Sequence, residues 1–167
     1  MNTGTGRFVG SWLCAAVMFV PAALLFPAAD ALAQSFVGTY CWNMTVTDTT
    51  VTGRVVPFSY VMKTGITNMG NNSSYTLIGY VNDPGDNPFT VSGSGQIIGS
   101  RLYLDLSGSQ SHISGGWRDT SAVHASLDTA TFSGTFYDIG NDFNAVSRQV
   151  DGTRYTAGTI ALASACP

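Results

Sequence analysis

Apolar and polar residues alternate with a period of two through most of residues 34–167. That period places positions i, i+2 and i+4 on one face of an extended strand. In the first segment Phe36, Gly38, Tyr40, Trp42, Met44 and Val46 share one face, and Val37, Thr39, Cys41, Asn43 and Thr45 share the other. Val56, Phe58, Tyr60 and Met62 repeat the pattern, as do Tyr75, Leu77, Gly79 and Val81. Phe89, Val91, Gly93, Gly95 and Ile97 lead into Gly99-Ser100, a two-residue hairpin turn. Leu102, Leu104 and Leu106 follow it and alternate with Arg101, Tyr103 and Asp105. A sixth segment carries Val123, Ala125 and Leu127, a seventh Phe132, Gly134 and Phe136, and the last runs over 156–164. Polar, Gly-rich or Pro-rich stretches over 69–74, 82–88, 111–121 and 138–153 read as loops and turns.

No segment holds a 3.6-residue period, so the fold class is all-β. About eight strands joined in order by short turns form an antiparallel up-and-down meander. Such a meander closes into a barrel, which removes the exposed edges of a flat sheet. The glycines at 38, 79, 93, 95 and 134 suit tight barrel bends, or leave space inside.

Before this pattern lies a different one. Arg7 is followed by an apolar run over 8–26, then by Ala31-Leu32-Ala33 ahead of Gln34. A basic start, an apolar stretch and small residues at the cleavage positions predict a cleavable secretory signal peptide over 1–33. Pro21, Pro27 and Asp30 interrupt the run, which weighs against an uncleaved membrane anchor. Cys14 lies inside the run, away from a lipid-attachment position. The expected working protein is a secreted or periplasmic barrel domain over 34–167.

Composition narrows the function classes. The formal net charge is −3, with no basic run, which argues against nucleic acid or anionic lipid as partner. All ten acidic residues are Asp, and Lys63 is the only lysine. Asp favours turns where Glu and Lys favour helices. Cys41 and Cys166 remain after the leader, an even count in an oxidising compartment, and predict a disulfide. Pairing of the first and last strands brings them together. Cys41 sits opposite the aromatic row, so the bridge is expected outside the barrel, across its closing seam.

Gly38-Thr39-Tyr40 at the start of the first strand resembles the Gly-x-Trp of lipocalins, with Tyr in the Trp position. With the strand count, the mature chain as a whole is similar to the calycins, the group of lipocalin-like and avidin-like barrels. That resemblance implies a closed barrel whose mouth holds a small apolar ligand. The Thr-Asp-Tyr turn of lipocalins is absent, and Arg154 is the candidate for the Arg that packs over the motif ring.

The expected function follows from the aromatic row. Tyr40, Trp42, Phe58, Tyr60 and Phe89 are expected to line a pocket for a small hydrophobic molecule, and Trp117, in a Gly-rich loop beside Arg118 and Asp119, to gate it. The alternative is a ligand-free structural or protein-interaction barrel of the cell envelope. A barrel-type isomerase or cyclase stands lower, because few titratable residues fall on the presumed inner face. An outer-membrane barrel shares the period of two, but several strands are short for it, and stable membrane insertion is not expected. His112 and His124 lack the spacing of a metal site, and Asp83 and Asp86 lack a calcium-loop pattern, so no metal and no cofactor is expected. No Gly-x-Ser-x-Gly occurs, and no catalytic residue is assigned.

Overall fold

The computed structural model describes residues 34–51, 53–82, 87–111, 116–144 and 149–166. The leader over 1–33 lies outside the described residues. Eight strands follow in order: β1 (Ser35–Thr49), β2 (Phe58–Asn68), β3 (Ser74–Val81), β4 (Phe89–Ile98), β5 (Arg101–Ser111), β6 (Trp117–Asp128), β7 (Ser133–Asn144) and β8 (Gln149–Leu162). Each pairs antiparallel with its neighbour in sequence, and β1 pairs with β8 to close an up-and-down barrel.

The alternation sets which side chains face the axis. Trp42 and Leu104 are 2% and 1% exposed. They share the core with Met44, Val46, Met62, Leu77, Val91, Leu106, Leu127, Phe136 and Ile160. The Trp42 indole N–H donates to the Thr64 hydroxyl at 2.9 Å, which satisfies both buried polar groups. Most outward positions on β4 and β5 are polar (Thr90, Ser92, Ser94 and Gln96, then Asp105, Ser107 and Ser109), while Ile98 and Tyr103 are exposed apolar side chains among them.

Three short turns gather at one end, between β2 and β3, β4 and β5, and β6 and β7. Gly99 adopts φ +61° in the second of them, a region open to glycine. In the third, the Asp128 carboxylate accepts from the N–H groups of Ala130 (2.8 Å) and Thr131 (3.0 Å). Those two bonds hold its carboxyl below the usual carboxylate range. The opposite end carries the remaining connections. Pro57, which has no N–H to give a ladder, immediately precedes β2 there.

Cys41 and Cys166 form a disulfide with Cα atoms 5.3 Å apart. It lies on the outer face at the β1–β8 seam, where the Ala163 N–H donates to the Cys41 carbonyl at 2.8 Å. Cys41 is 3% exposed although it points away from the axis.

Four expectations need correction. The strands are not short for a membrane-spanning barrel, since seven of the eight run to ten residues or more. Phe36 is 67% exposed, outside the aromatic row, because the β1–β2 register shifts between Phe36 and Gly38 and turns its side chain outward. The stretch 138–153 is not mainly a turn: β7 runs to Asn144 and β8 starts at Gln149. The loop expected over 111–121 is likewise shorter, since β6 starts at Trp117. Near this end of β7 and β8 Asp138, Asp142 and Arg154 line the interior while Tyr137, Ile139, Phe143 and Tyr155 are exposed, the reverse of the pattern that marks a half-buried strand.

Glycine positions divide into two kinds. A Cβ at Gly93 would lie 2.0 Å from the Asp105 carbonyl oxygen, so the backbones approach too closely there for any side chain. A Cβ at Gly95 would meet only side-chain ends, those of Leu104 (3.0 Å), Leu77 (3.2 Å) and Leu102 (3.5 Å). Gly93 serves the bend, and Gly95 leaves interior space.

Candidate binding site

The interior is not filled. A cavity of about 500 Å³ opens at the end away from the three short turns. A second cavity, of about 190 Å³, lies at the short-turn end. Among the described residues, none lines both. Leu106, Leu127, Phe136 and Ile160 belong to the core and line neither.

The larger cavity has two kinds of wall. Met44, Phe58, Met62, Phe89 and Val91 supply an apolar side from β1, β2 and β4. Asp119 and Ser121 from β6, Asp138 and Asp142 from β7, and Arg154 and Thr156 from β8 supply a polar side. Arg54 lines the cavity too, with its guanidinium 5.5 Å from the centre of the Phe58 ring.

Strand register builds the polar side. Asp119 pairs directly with Asp142 across β6 and β7, and two like charges so placed repel. Arg154 relieves them from β8, opposite Gly140. Its Nη2 lies 3.6 Å from the Asp119 carboxylate, and its Nε lies 2.6 Å from that of Asp142. The shorter contact joins opposite charges without the alignment of a hydrogen bond. Gly140 makes the approach possible, since a Cβ there would stand 3.1 Å from the guanidinium and 2.6 Å from the Thr120 carbonyl oxygen.

Asp138 is held differently. The Ser121 hydroxyl donates to its carboxylate. Burial pushes its carboxyl above the usual carboxylate range, although that hydrogen bond and the charges of Arg154 and His124 pull it down. Tyr60 faces the same space, its ring edge-on to Phe136 at 6.3 Å between centroids. Burial, and then the nearby Asp138 charge, lift its hydroxyl above the ordinary phenol range.

The residues expected to form one pocket are divided. Phe58, Tyr60 and Phe89 line the larger cavity, and Tyr40 and Trp42 line the smaller. Trp117 is the first residue of β6, and its side chain lies outside the described residues, as do His112, Asp83 and Asp86. Arg154 does not pack over Tyr40; it serves the cavity at the other end of the barrel. The premise that few titratable groups face inward also fails, because Tyr60, Asp119, Asp138, Asp142 and Arg154 all line the larger cavity. A rule of apolar-in, polar-out hides them. Yet Asp138, Gly140 and Asp142 recur every second residue, and that period alone marks a strand.

His124 lies on the outer face, 2.6 Å from the Asp105 carboxylate and stacked on Tyr137 at 4.9 Å between ring centroids. Among the described residues, no group of three or more His, Cys or acidic side chains is placed to hold a metal ion. Comparison with protein-family models, with curated proteins and with solved structures finds no match for the chain.

Proposed function

We propose that this barrel binds a small molecule with an apolar body and one polar end in the larger cavity. The observation that carries the proposal is the two-sided wall of a space of about 500 Å³. Ligand pockets run to roughly 300–1,000 Å³ and combine a mostly apolar lining with a few placed polar groups. Met44, Phe58, Met62, Phe89 and Val91 would take the body, and Ser121, Asp138 and Arg154 would orient the polar end.

Two other readings fit less well. A packed barrel that acts only through its loops has no need of this open space. An outer-membrane barrel would press Thr90, Ser92, Ser94, Asp105 and Ser107 into lipid. A charged side chain on a lipid face carries a depth-dependent cost, and a carboxylate such as Asp105 costs less than the roughly 2–4 kcal/mol of Arg or Lys at mid-membrane.

Displacement of an environment-sensitive anionic naphthalene dye by a panel of retinoids, fatty acids and aromatic alcohols tests the proposal. Saturable one-to-one displacement should disappear in Val81→Trp, which fills the cavity from its wall. No displacement by any member, or displacement unchanged in that variant, would refute it.

One observation favours a barrel-type isomerase or cyclase as a second reading. Asp138 is a buried carboxyl with a raised proton affinity, facing an apolar wall. Asp138→Asn should then abolish turnover of a bound compound while sparing its binding. Equal turnover by both proteins would dismiss this reading.

A further inference from the structure

We infer that the smaller cavity is a second, independent binding site, which takes one uncharged apolar molecule the size of a single methylated aromatic ring. Its chemistry differs from that of the larger cavity. Leu77, Leu102, Leu104, Ile97 and Phe132 are among its walls, and no charged side chain among the described residues lines it. Polar tips on two of its rings are occupied elsewhere: the Trp42 N–H donates to Thr64, and the Tyr75 hydroxyl donates to the Asn72 carbonyl at 3.1 Å. A charged ligand group placed here would lose its hydration without a partner.

The space is built, as two features show. Gly95 is a buried inward position of β4, and its missing side chain leaves room among three leucine termini. Unlike Gly93, it meets no backbone that forbids a Cβ. Phe132 adopts φ +48°, a left-handed conformation costly for a bulky residue. Glycine would fit that turn position without strain. Instead the chain holds an aromatic ring against the cavity, fixed by hydrogen bonds from the Phe132 N–H to the Asp128 carbonyl (2.8 Å) and from the Leu162 N–H to the Phe132 carbonyl (2.9 Å).

Volume selects the occupant. An apolar cavity of roughly 150 Å³ lined by Leu, Ile and Phe stays dry and takes a benzene-sized molecule. A space of about 190 Å³ therefore suits one ring with a methyl group. A fused ring system or a long acyl chain would exceed it and project from the open barrel end beside Val37 and Phe132.

Thermal unfolding of the purified protein with toluene, benzylamine and benzoate tests the inference. Toluene at ten times its Kd should raise Tm by roughly 3–6 °C. Measured in Val81→Trp, where the charged groups of the larger cavity are blocked, benzylamine and benzoate should bind at least roughly tenfold more weakly than toluene. Gly95→Leu should remove the toluene response, as should Ile97→Phe, a second filling variant at a half-buried position that guards against misfolding of the first. Val81→Trp, which fills the other cavity, should keep the response. No response to toluene, a response that survives both filling variants, equal affinity for the charged analogues, or loss of the response in Val81→Trp would each overturn the inference. The first three of these leave the reading of the larger cavity untouched.

Discussion

Replacing Thr64 with Val tests how the middle of the barrel is held. Thr64 is 0% exposed and accepts the indole N–H of Trp42, itself 2% exposed, at 2.9 Å. Val keeps the shape of Thr but cannot accept. The indole N–H is then left buried without a partner, which costs about 1–3 kcal/mol. A methyl in place of a hydroxyl returns up to about 0.8 kcal/mol, so the net loss should be about 1–2 kcal/mol. Trp42→Phe should cost more, about 2–4 kcal/mol, because it also sheds buried apolar area and leaves a void beside an orphaned hydroxyl. The double variant should cost less than the two singles together by about 1–2 kcal/mol, since neither partner then lacks a mate. Urea unfolding followed by far-ultraviolet circular dichroism measures all four proteins without depending on tryptophan emission. A Thr64→Val protein within about 0.3 kcal/mol of wild type, together with strictly additive singles, would refute the reasoning, because a net hydrogen bond is worth about 1 kcal/mol.

Three further outcomes are expected. Asp138 has a raised proton affinity in the fold, so the native state binds that proton more tightly than the unfolded chain; stability should fall as pH rises from the ordinary carboxylate range through the raised value. Asp138→Asn removes this penalty and should melt higher than wild type at neutral pH, with the gap closing by about pH 3; Tm series across pH check this, and no gain at neutral pH contradicts it. Cys166→Ser opens a bridge that spans 125 residues, and the chain-entropy model sets its loss at up to about 4–5 kcal/mol, read by denaturant unfolding; a loss below about 1 kcal/mol would contradict the seam's role. Gly93→Ala should lower Tm far more than Gly95→Ala, because its Cβ meets a backbone oxygen at 2.0 Å while that of Gly95 meets flexible side-chain ends; equal melting temperatures would refute the distinction.

Much of the barrel is legible along the chain, and the reasons are local. The period of two fixes the extended state, and Gly99-Ser100 fixes one hairpin. Cys41 and Cys166, set in the first strand and beyond the last, mark the seam. Legibility fails where polarity inverts. Around Asp138, Asp142 and Arg154, polar side chains turn to the axis while Tyr137, Ile139, Phe143 and Tyr155 are exposed. A reading that assigns apolar residues to the core takes such a stretch for a turn, and so sees neither the strands nor the site they carry.

The candidate site shows the division most plainly. Sequence alone determined that aromatic and aliphatic residues share one face of each strand, because alternation is a property of neighbours along one chain. Closure of the sheet decided that this face turns inward. Sequence did not determine that Tyr40 and Trp42 border one space while Phe58, Tyr60 and Phe89 border another. That depends on strand stagger and on the residues that fill the middle of the barrel. Nor did it place Asp119, Asp142 and Arg154 together, since they lie on three strands and meet only through pairing register. Only closure of the sheet brings those strands around one space. There a carboxylate and a guanidinium can face inward, because each finds its counter-charge in the opening that the sheet leaves.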